Sequence, residues 1–117
     1  MAKATLVVLT NPVSDEAEDE YNRWYSEVHL RDVVALDGFV SAQRYRFIDV
    51  AAMPEMPKTH RYLALYEFDG DDLEATAAAL GAAAGTDAMV ISPALDASTA
   101  VARWAEPIGA PVTAVRA

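Results

Sequence analysis

The segment Asn22, Trp24, Tyr25, His29, Asp32 constrains this chain most, because it sets ionisable groups where an amphipathic helix should carry apolar ones. With residues 15 to 36 helical, about 100° of rotation per residue puts Ala17, Tyr21, Trp24, Val28 and Ala35 on one inward face. Asp32 falls inside the same arc. Tyr25 and His29 lie at its edge, one turn apart, so three polar groups form a strip running into the core. A carboxylate buried without a partner costs several kcal/mol or takes up a proton, so the strip requires a partner or a function.

The segments around this helix alternate in a definite order. Residues 3 to 10 are β-branched and apolar up to Asn11-Pro12, which predicts a mostly buried first strand. Ser14 or Asp15 caps the helix, Asp15 and Glu18 form a capping-box pattern, and the acids of this first turn suit the positive end of the helix dipole as a solvated helix start. Asp37-Gly38 ends the helix. Residues 39 to 50 then read as a long strand, with Val40, Ala42, Arg44, Arg46 and Ile48 on one side and Phe39, Ser41, Gln43, Tyr45 and Phe47 on the other. Residues 51 to 58 carry two prolines and no periodicity, the mark of a rim or lid loop.

Residues 60 to 68 alternate His60, Tyr62, Ala64, Tyr66 and Phe68 against Arg61, Leu63, Leu65 and Glu67, a third strand with an aromatic side. Asp72 to about Ala84 is an alanine-rich second helix with Leu73, Ala77, Leu80 and Ala84 inward. Ser92-Pro93 predicts one further helical turn, and residues 98 to 105 a fourth strand. In the tail Pro107 to Ala117, Val112 to Arg116 reads as a short added strand exchanged with a neighbouring subunit. The order β-α-β-β-α-β predicts an α+β, ferredoxin-like domain over residues 1–117, its antiparallel four-stranded sheet carrying both helices on one face. The other face then has no cover, and a second copy of the chain is the simplest one.

Composition narrows the partners. At 117 residues and 53% hydrophobic content the chain can build one continuous core. Nine Lys plus Arg against eighteen Asp plus Glu give a net charge of −9, which opposes binding to nucleic acid or to an anionic membrane surface. There is no cysteine, hence no disulfide or thiolate metal site, which fits a cytoplasmic protein. The apolar run Leu6 to Leu9 is too short for a membrane span or an export signal. The two histidines stand far apart with no zinc-site spacing, and phosphate-loop and nucleophile-elbow motifs are absent, so no metal or cofactor is expected, haem ligation by His29 or His60 being the alternative that nothing in the sequence selects.

With this element order and the spacing Asn22-x-Trp24-Tyr25-x-x-x-His29-x-x-Asp32, the chain resembles the dimeric α+β barrel superfamily, and within it the EthD-like small proteins. Gly38-Phe39, Arg44 and the run Tyr62-Leu63-Ala64-Leu65-Tyr66-Glu67 also carry the likeness, which covers nearly the whole chain. EthD-like sequences often have a proline soon after the histidine and a Pro-Gly turn. Here Leu30-Arg31 and Asp37-Gly38 stand instead. The resemblance implies a homodimer whose two sheets form a shared barrel, with a small-molecule pocket in each subunit between sheet and helices. Cofactor-free monooxygenases, polyketide cyclases, muconolactone-type isomerases and haem enzymes share that architecture, so fold does not select a reaction.

Among the residues, His29 is the candidate acid–base group, since imidazole exchanges protons near neutrality. Asp32, three residues on, is placed to orient it or to form a salt bridge with Arg44 or Arg46. Arg44 is a candidate grip for a carboxylate or enolate oxygen. Tyr21, Asn22, Trp24, Tyr25, His60, Tyr62 and Tyr66 are candidate substrate-binding residues, with core or rim packing as the structural alternative for the aromatics. The first functional expectation is a cofactor-independent enzyme of isomerase, cyclase or lyase type, moving protons on a hydrophobic or aromatic carbonyl compound. A non-catalytic small-molecule binding or accessory protein and a cofactor-free monooxygenase are the alternatives.

Overall fold

Strand β1 (Ala2–Thr10) runs down the middle of a four-stranded antiparallel sheet, in the computed structural model that describes residues 2–116. The sheet order is β2-β3-β1-β4, with β2 at Phe39–Arg46, β3 at Tyr62–Gly70 and β4 at Val101–Ala105. Register fixes the faces. Leu6 pairs with Tyr66 and with Trp104, Val8 with Ala64 and Ala102, and Ala42 with Tyr66, so these residues share the face that meets the helices. Ala4, Leu6, Thr10, Tyr62, Ala64, Tyr66 and Phe68 are buried there. The opposite face presents Val7, Leu9, Leu63 and Leu65, half-covered, with exposed Tyr45 and Val101 at its sides.

The first helix is not continuous α-helix. It starts as α1 (Glu18–Trp24), widens into a π-helical turn at Tyr25–His29, and resumes as α2 (Leu30–Val34). A π turn inserts one residue into the repeat and rotates everything after it by about one residue, roughly 100°. Tyr21, Trp24 and Tyr25, at i, i+3 and i+4, are buried as in a regular helix, but after the turn the inward position passes to Val33. Asp32 is only half-buried and Ala35 is exposed, which corrects the uninterrupted α-helical arc expected from the sequence.

Other boundaries moved for equally local reasons. Strand β2 stops at Arg46, and an irregularity between Phe39 and Ser41 skips Val40, so Phe39 joins Ala42 and Arg44 on the helix face instead of opposing them. Its ring packs against Tyr66, Phe68 and Trp104. Strand β3 begins two residues later than expected, at Tyr62, and β4 begins at Val101 rather than Ser98 because Asp96 binds the backbone N–H of Ser98 and turns the chain there. Ser92-Pro93 forms a hydrogen-bonded turn, with Ser92 Oγ accepting from Ala94 N, and no helix. Residues 112–116 form no strand.

Helix α3 (Leu73–Ala83) is capped by Asp72, whose carboxylate accepts from Ala75 N at 3.0 Å. Leu73, Leu80 and Ala83 pack on the core, whereas Ala84, expected inward, is exposed. Thr76 is buried and donates from Oγ1 to the Asp37 carbonyl at 2.7 Å, tying α3 to the turn before β2. That turn needs glycine. Gly38 has φ +96° and a Cβ there would lie 2.3 Å from the Phe68 ring. Gly38→Ala is expected to destabilise the fold by ~2 kcal/mol or more through strain and overpacking, read as a lower denaturant midpoint with an unchanged slope.

Candidate functional site

Arg44 is placed by β2 on the helix-facing side of the sheet, opposite Ala64, and reaches up against the helix. Its guanidinium carbon lies 4.6 Å from the centre of the Tyr25 ring, 5.0 Å from Tyr62 and 5.3 Å from Tyr21. These are cation–π distances. Nη1 donates to Ser26 Oγ at 2.8 Å and to the Asn22 carbonyl at 3.3 Å, and Nη2 donates to Asn22 Oδ1 at 2.8 Å. Nε is buried and has no partner, and among the described residues Arg44 makes no ion pair. The expected bridge from Asp32 to Arg44 or Arg46 is therefore not formed; the rotation introduced by the π turn carries Asp32 away from the sheet.

A second set of contacts continues from Arg44 outward. Asn22 Nδ2 donates to the Tyr62 hydroxyl at 3.0 Å, and that hydroxyl donates to Glu18 Oε2 at 2.5 Å. Glu18 Oε1 accepts from Arg61 at 2.8 Å, and Arg61 also bridges to Asp15 at 2.7 Å. Asp15 and Glu18 thus do not form the expected capping box; Ser14 Oγ accepts from Ala17 N instead, and the two acids hold Arg61, the residue just before β3. Burial, and then the bond to Glu18, raises the Tyr62 phenol above its ordinary pKa. The row Glu18–Tyr62–Asn22–Arg44 is one hydrogen-bonded chain across three elements.

Glu18 and Tyr62 form part of the wall of a cleft of about 640 Å³, with Arg46, Lys58, His60 and Arg61 around it. His60 is fixed rather than free. Its Nε2–H donates to the Thr99 carbonyl at 2.7 Å, since a carbonyl only accepts, and Nδ1 lies 2.9 Å from Thr59 Oγ1. Asn11 anchors the floor, accepting from Arg61 N at 2.9 Å and donating to the Thr59 carbonyl at 3.0 Å and to Thr99 Oγ1 at 3.2 Å. A neighbouring cleft of about 560 Å³ lies under the β2–β3 loop, over Leu9 on the outer face of the sheet, and shares His60.

His29 lies elsewhere. Its ring stacks on Trp24 at 4.8 Å and stands perpendicular to Tyr25 at 5.1 Å, while Nδ1 is buried without a partner. Burial lowers its pKa to about 4, against the smaller opposing pull of Asp32. The imidazole is thus neutral near pH 7. No hydrogen bond joins it to Asp32, and neither cleft is lined by His29 or Asp32. Tyr25 stands between His29 and Arg44, touching both.

The remaining aromatics fill the space between helix and sheet. Tyr21 is fully buried and its hydroxyl meets Thr10 Oγ1; Tyr66 donates to the Tyr25 hydroxyl at 3.3 Å; Trp24 donates from Nε1 to the Val90 carbonyl at 3.0 Å. Burial pushes the Tyr25 phenol up to about 12 and raises Tyr21 and Tyr66 as well, so all three stay protonated. Of the residues singled out from the sequence, Tyr21, Asn22, Tyr25, Tyr62 and Arg44 are brought together, Tyr66 lies one tyrosine further, and His60 joins through the cleft. Glu18, Ser26, Thr10 and Arg61 also contact these residues, and the sequence did not single them out as site candidates. The i to i+4 spacing of Glu18 and Asn22 and of Asn22 and Ser26 was the available signal, since it sets all three on one side of the helix.

No family model matches the chain, and no curated protein matches it. Solved structures do. A protein from Shewanella loihica PV-4, provisionally named a monooxygenase, superposes with a TM-score of 0.57 at 18% identity over 93% of this chain and 97% of that one. An ethyl tert-butyl ether D (EthD) family protein from Bacillus halodurans C-125 does so with a TM-score of 0.57 at 16% identity, over 92% of this chain and 100% of that one. The fold is that of the EthD-like α+β proteins. At these identities the likeness extends to the backbone and carries no residue roles.

The depressed His29 pKa makes stability depend on pH. The unfolded chain takes up a proton below about 6.5 and the folded chain only below about 4, so stability is full above 6.5 and falls as pH drops between those values. His29→Phe, which keeps the ring stack, should remove up to ~1.4 kcal/mol per pH unit from that slope. Urea unfolding of the two proteins at pH 4.5 and pH 7 measures it.

Proposed function

We propose that this chain is a small-molecule enzyme that moves a proton on an enolisable, hydrophobic or aromatic carbonyl compound bound in the cleft beside Tyr62. The observation that carries the reading is the row Glu18–Tyr62–Asn22–Arg44, which ends in a largely enclosed guanidinium with no carboxylate opposite it. Buried cations are ordinarily paired, and a site short of one negative charge favours a reaction that generates one.

Glu18 takes the proton from the carbon next to the carbonyl. The C–H electron pair becomes the new C=C bond and the carbonyl π pair moves to oxygen. Tyr62 turns its O–H from Glu18 to that oxyanion, held in place by Asn22 and polarised by Arg44 behind it. Return of the proton at the original carbon gives exchange, and return at another position gives an isomer, so atoms and charge balance with no further reactant. In this reading Arg44 supplies the fixed positive charge, His60 and Arg46 border the substrate, and Tyr21, Tyr25 and Tyr66 form the insulating wall. His29, expected from the sequence to be the base with Asp32 orienting it, is assigned to that wall with Trp24.

A test needs no knowledge of the natural substrate. Exchange of the α-protons of 2-tetralone in D2O, followed by NMR, should be accelerated by the protein. Tyr62→Phe should lower the acceleration by a factor of about 100, the usual loss for one oxyanion donor, and Arg44→Met should lower it as well by removing the charge behind that donor. Full activity of Tyr62→Phe alongside an inactive, folded His29→Ala would return the base to His29. Saturable binding of 2-tetralone without any exchange would make the protein a non-catalytic binding module.

An oxygenase reading draws support from the name of the Shewanella protein. The same Glu18–Tyr62 pair would then deprotonate an electron-rich hydroquinone, which itself supplies the electrons to oxygen. Oxygen uptake with 1,4-dihydroxynaphthalene, abolished in Tyr62→Phe, is its distinguishing signature.

The uncovered sheet face belongs to this reading as well. Val7, Leu9, Leu63, Leu65, Tyr45 and Val101 form a contiguous apolar surface by register, and the molecule is only 23 Å thick, two layers with the β2–β3 loop arching over Leu9 at one end of the outer side. A homodimer packed through this face is the arrangement it supports.

A further inference from the structure

The segment after β4 is apolar and touches nothing. Ile108, Val112 and Val115 are 99%, 99% and 96% exposed, and no hydrogen bond from residues 107–116 to the rest of the chain occurs among the described residues. Segments that remain free in water are rich in charge and poor in branched apolar side chains. This one carries Arg116 as its sole charge between 107 and 116. Pro107 and Pro111 restrict its backbone, so ordering it in an extended form costs less than for an ordinary tail.

A matching vacancy lies at the other end of the sheet. The β2–β3 loop arches over Leu9 and encloses about 560 Å³, with Met53 and Met56 66% and 70% exposed and Ile48 and Val50 also exposed. Methionines line surfaces that adapt to an inserted apolar chain. Asp49 and Glu55 stand on its rim, and only Asp49 is paired, to Lys58. The charge left over is negative, opposite to Arg116.

The tail starts at the wrong end to fill its own groove. Ala105 pairs with Thr5, whereas the groove lies over Leu9, which pairs with Val101, so the chain leaves β4 heading away from it. Two sheets packed face to face about a two-fold axis that crosses their strands bring the Thr5 end of one over the Leu9 end of the other. The radius of gyration, 16.0 Å against roughly 13 Å for a compact chain of this size, records how far these segments project from the body.

We infer that residues 107–116 of one copy dock in the groove beneath the β2–β3 loop of a second copy, with Val112 and Val115 among Ile48, Met53 and Met56 and Arg116 against Glu55. The inference rests on the homodimer proposed above. It makes the loop that borders both clefts, and the His60 they share, a structure completed by the partner.

The chain has no cysteine, which makes the test clean. Copies carrying only Met53→Cys are mixed with copies carrying only Val112→Cys and treated with a flexible bis-maleimide. The expected result is a covalent dimer containing one of each variant, together with a dimer dissociation constant at least about tenfold weaker after deletion of residues 107–117. A linkage formed only within single chains of the double variant overturns the inference in favour of self-docking. A dimeric mass by light scattering with no Met53–Val112 linkage, and no loss on deletion, overturns the inference and leaves the homodimer standing. A monomeric mass of the full chain at micromolar concentration overturns both.

Discussion

The enclosure of the Arg44 guanidinium is the interaction on which the arrangement of this site depends. A cation taken from water into the helix–sheet interface loses hydration that only several simultaneous contacts restore. Here three tyrosine faces and three hydrogen bonds do so. Cation–π contacts contribute about 0.5–2 kcal/mol each, and bonds to charged groups about 1.5–3, so together they match the cost without a carboxylate. The consequence is positional. Arg44 holds the edge strand β2 to the helix, fixes Asn22, and through Asn22 fixes the orientation of the Tyr62 hydroxyl toward Glu18.

The helix changes its winding at the rings that enclose Arg44. Tyr21, Trp24 and Tyr25 stand at i, i+3 and i+4, the spacing by which a regular α-helix buries one face, and all three are buried. The π turn at Tyr25–His29 shifts the phase of the residues after it, while Tyr25 faces Arg44 and His29 stacks back on Trp24. Such turns are frequent at functional sites, and this one hands the inward position from Asp32 to Val33.

How legible this was in the sequence follows from the length scale of each feature. The order β-α-β-β-α-β is written in periodicities that persist for eight or more residues, and the sheet order β2-β3-β1-β4 follows from it. Features that turn on one inserted residue were not legible. The π turn displaced Asp32, and the skipped residue at Val40 moved Phe39 to the other face, because insertion changes phase without changing composition. Contacts between elements were the other gap. Glu18 read as one of several solvated acids until β3 placed Tyr62 and Arg61 beside it, while Arg44 was recognisable alone, as a cation among apolar neighbours in a strand.

The distribution of charge then narrows what this site can receive. The chain carries a net −9, yet Arg46, Lys58 and Arg61, three of its nine Lys and Arg, line the cleft beside Tyr62 together with Glu18, Asp49 and Asp96, and Arg44 lies behind it. Beyond about 8 Å at physiological ionic strength the surplus negative charge is screened but not reversed, so a permanently anionic ligand approaches against the field of the molecule. A neutral ketone meets no such barrier. In the proposed reaction its charge appears only once the proton has gone, at an oxygen within reach of Tyr62, behind which Arg44 lies against the ring. Under the proposed reaction the protein's overall acidity and its local cation act in the same direction, toward a substrate that enters neutral and becomes anionic when bound.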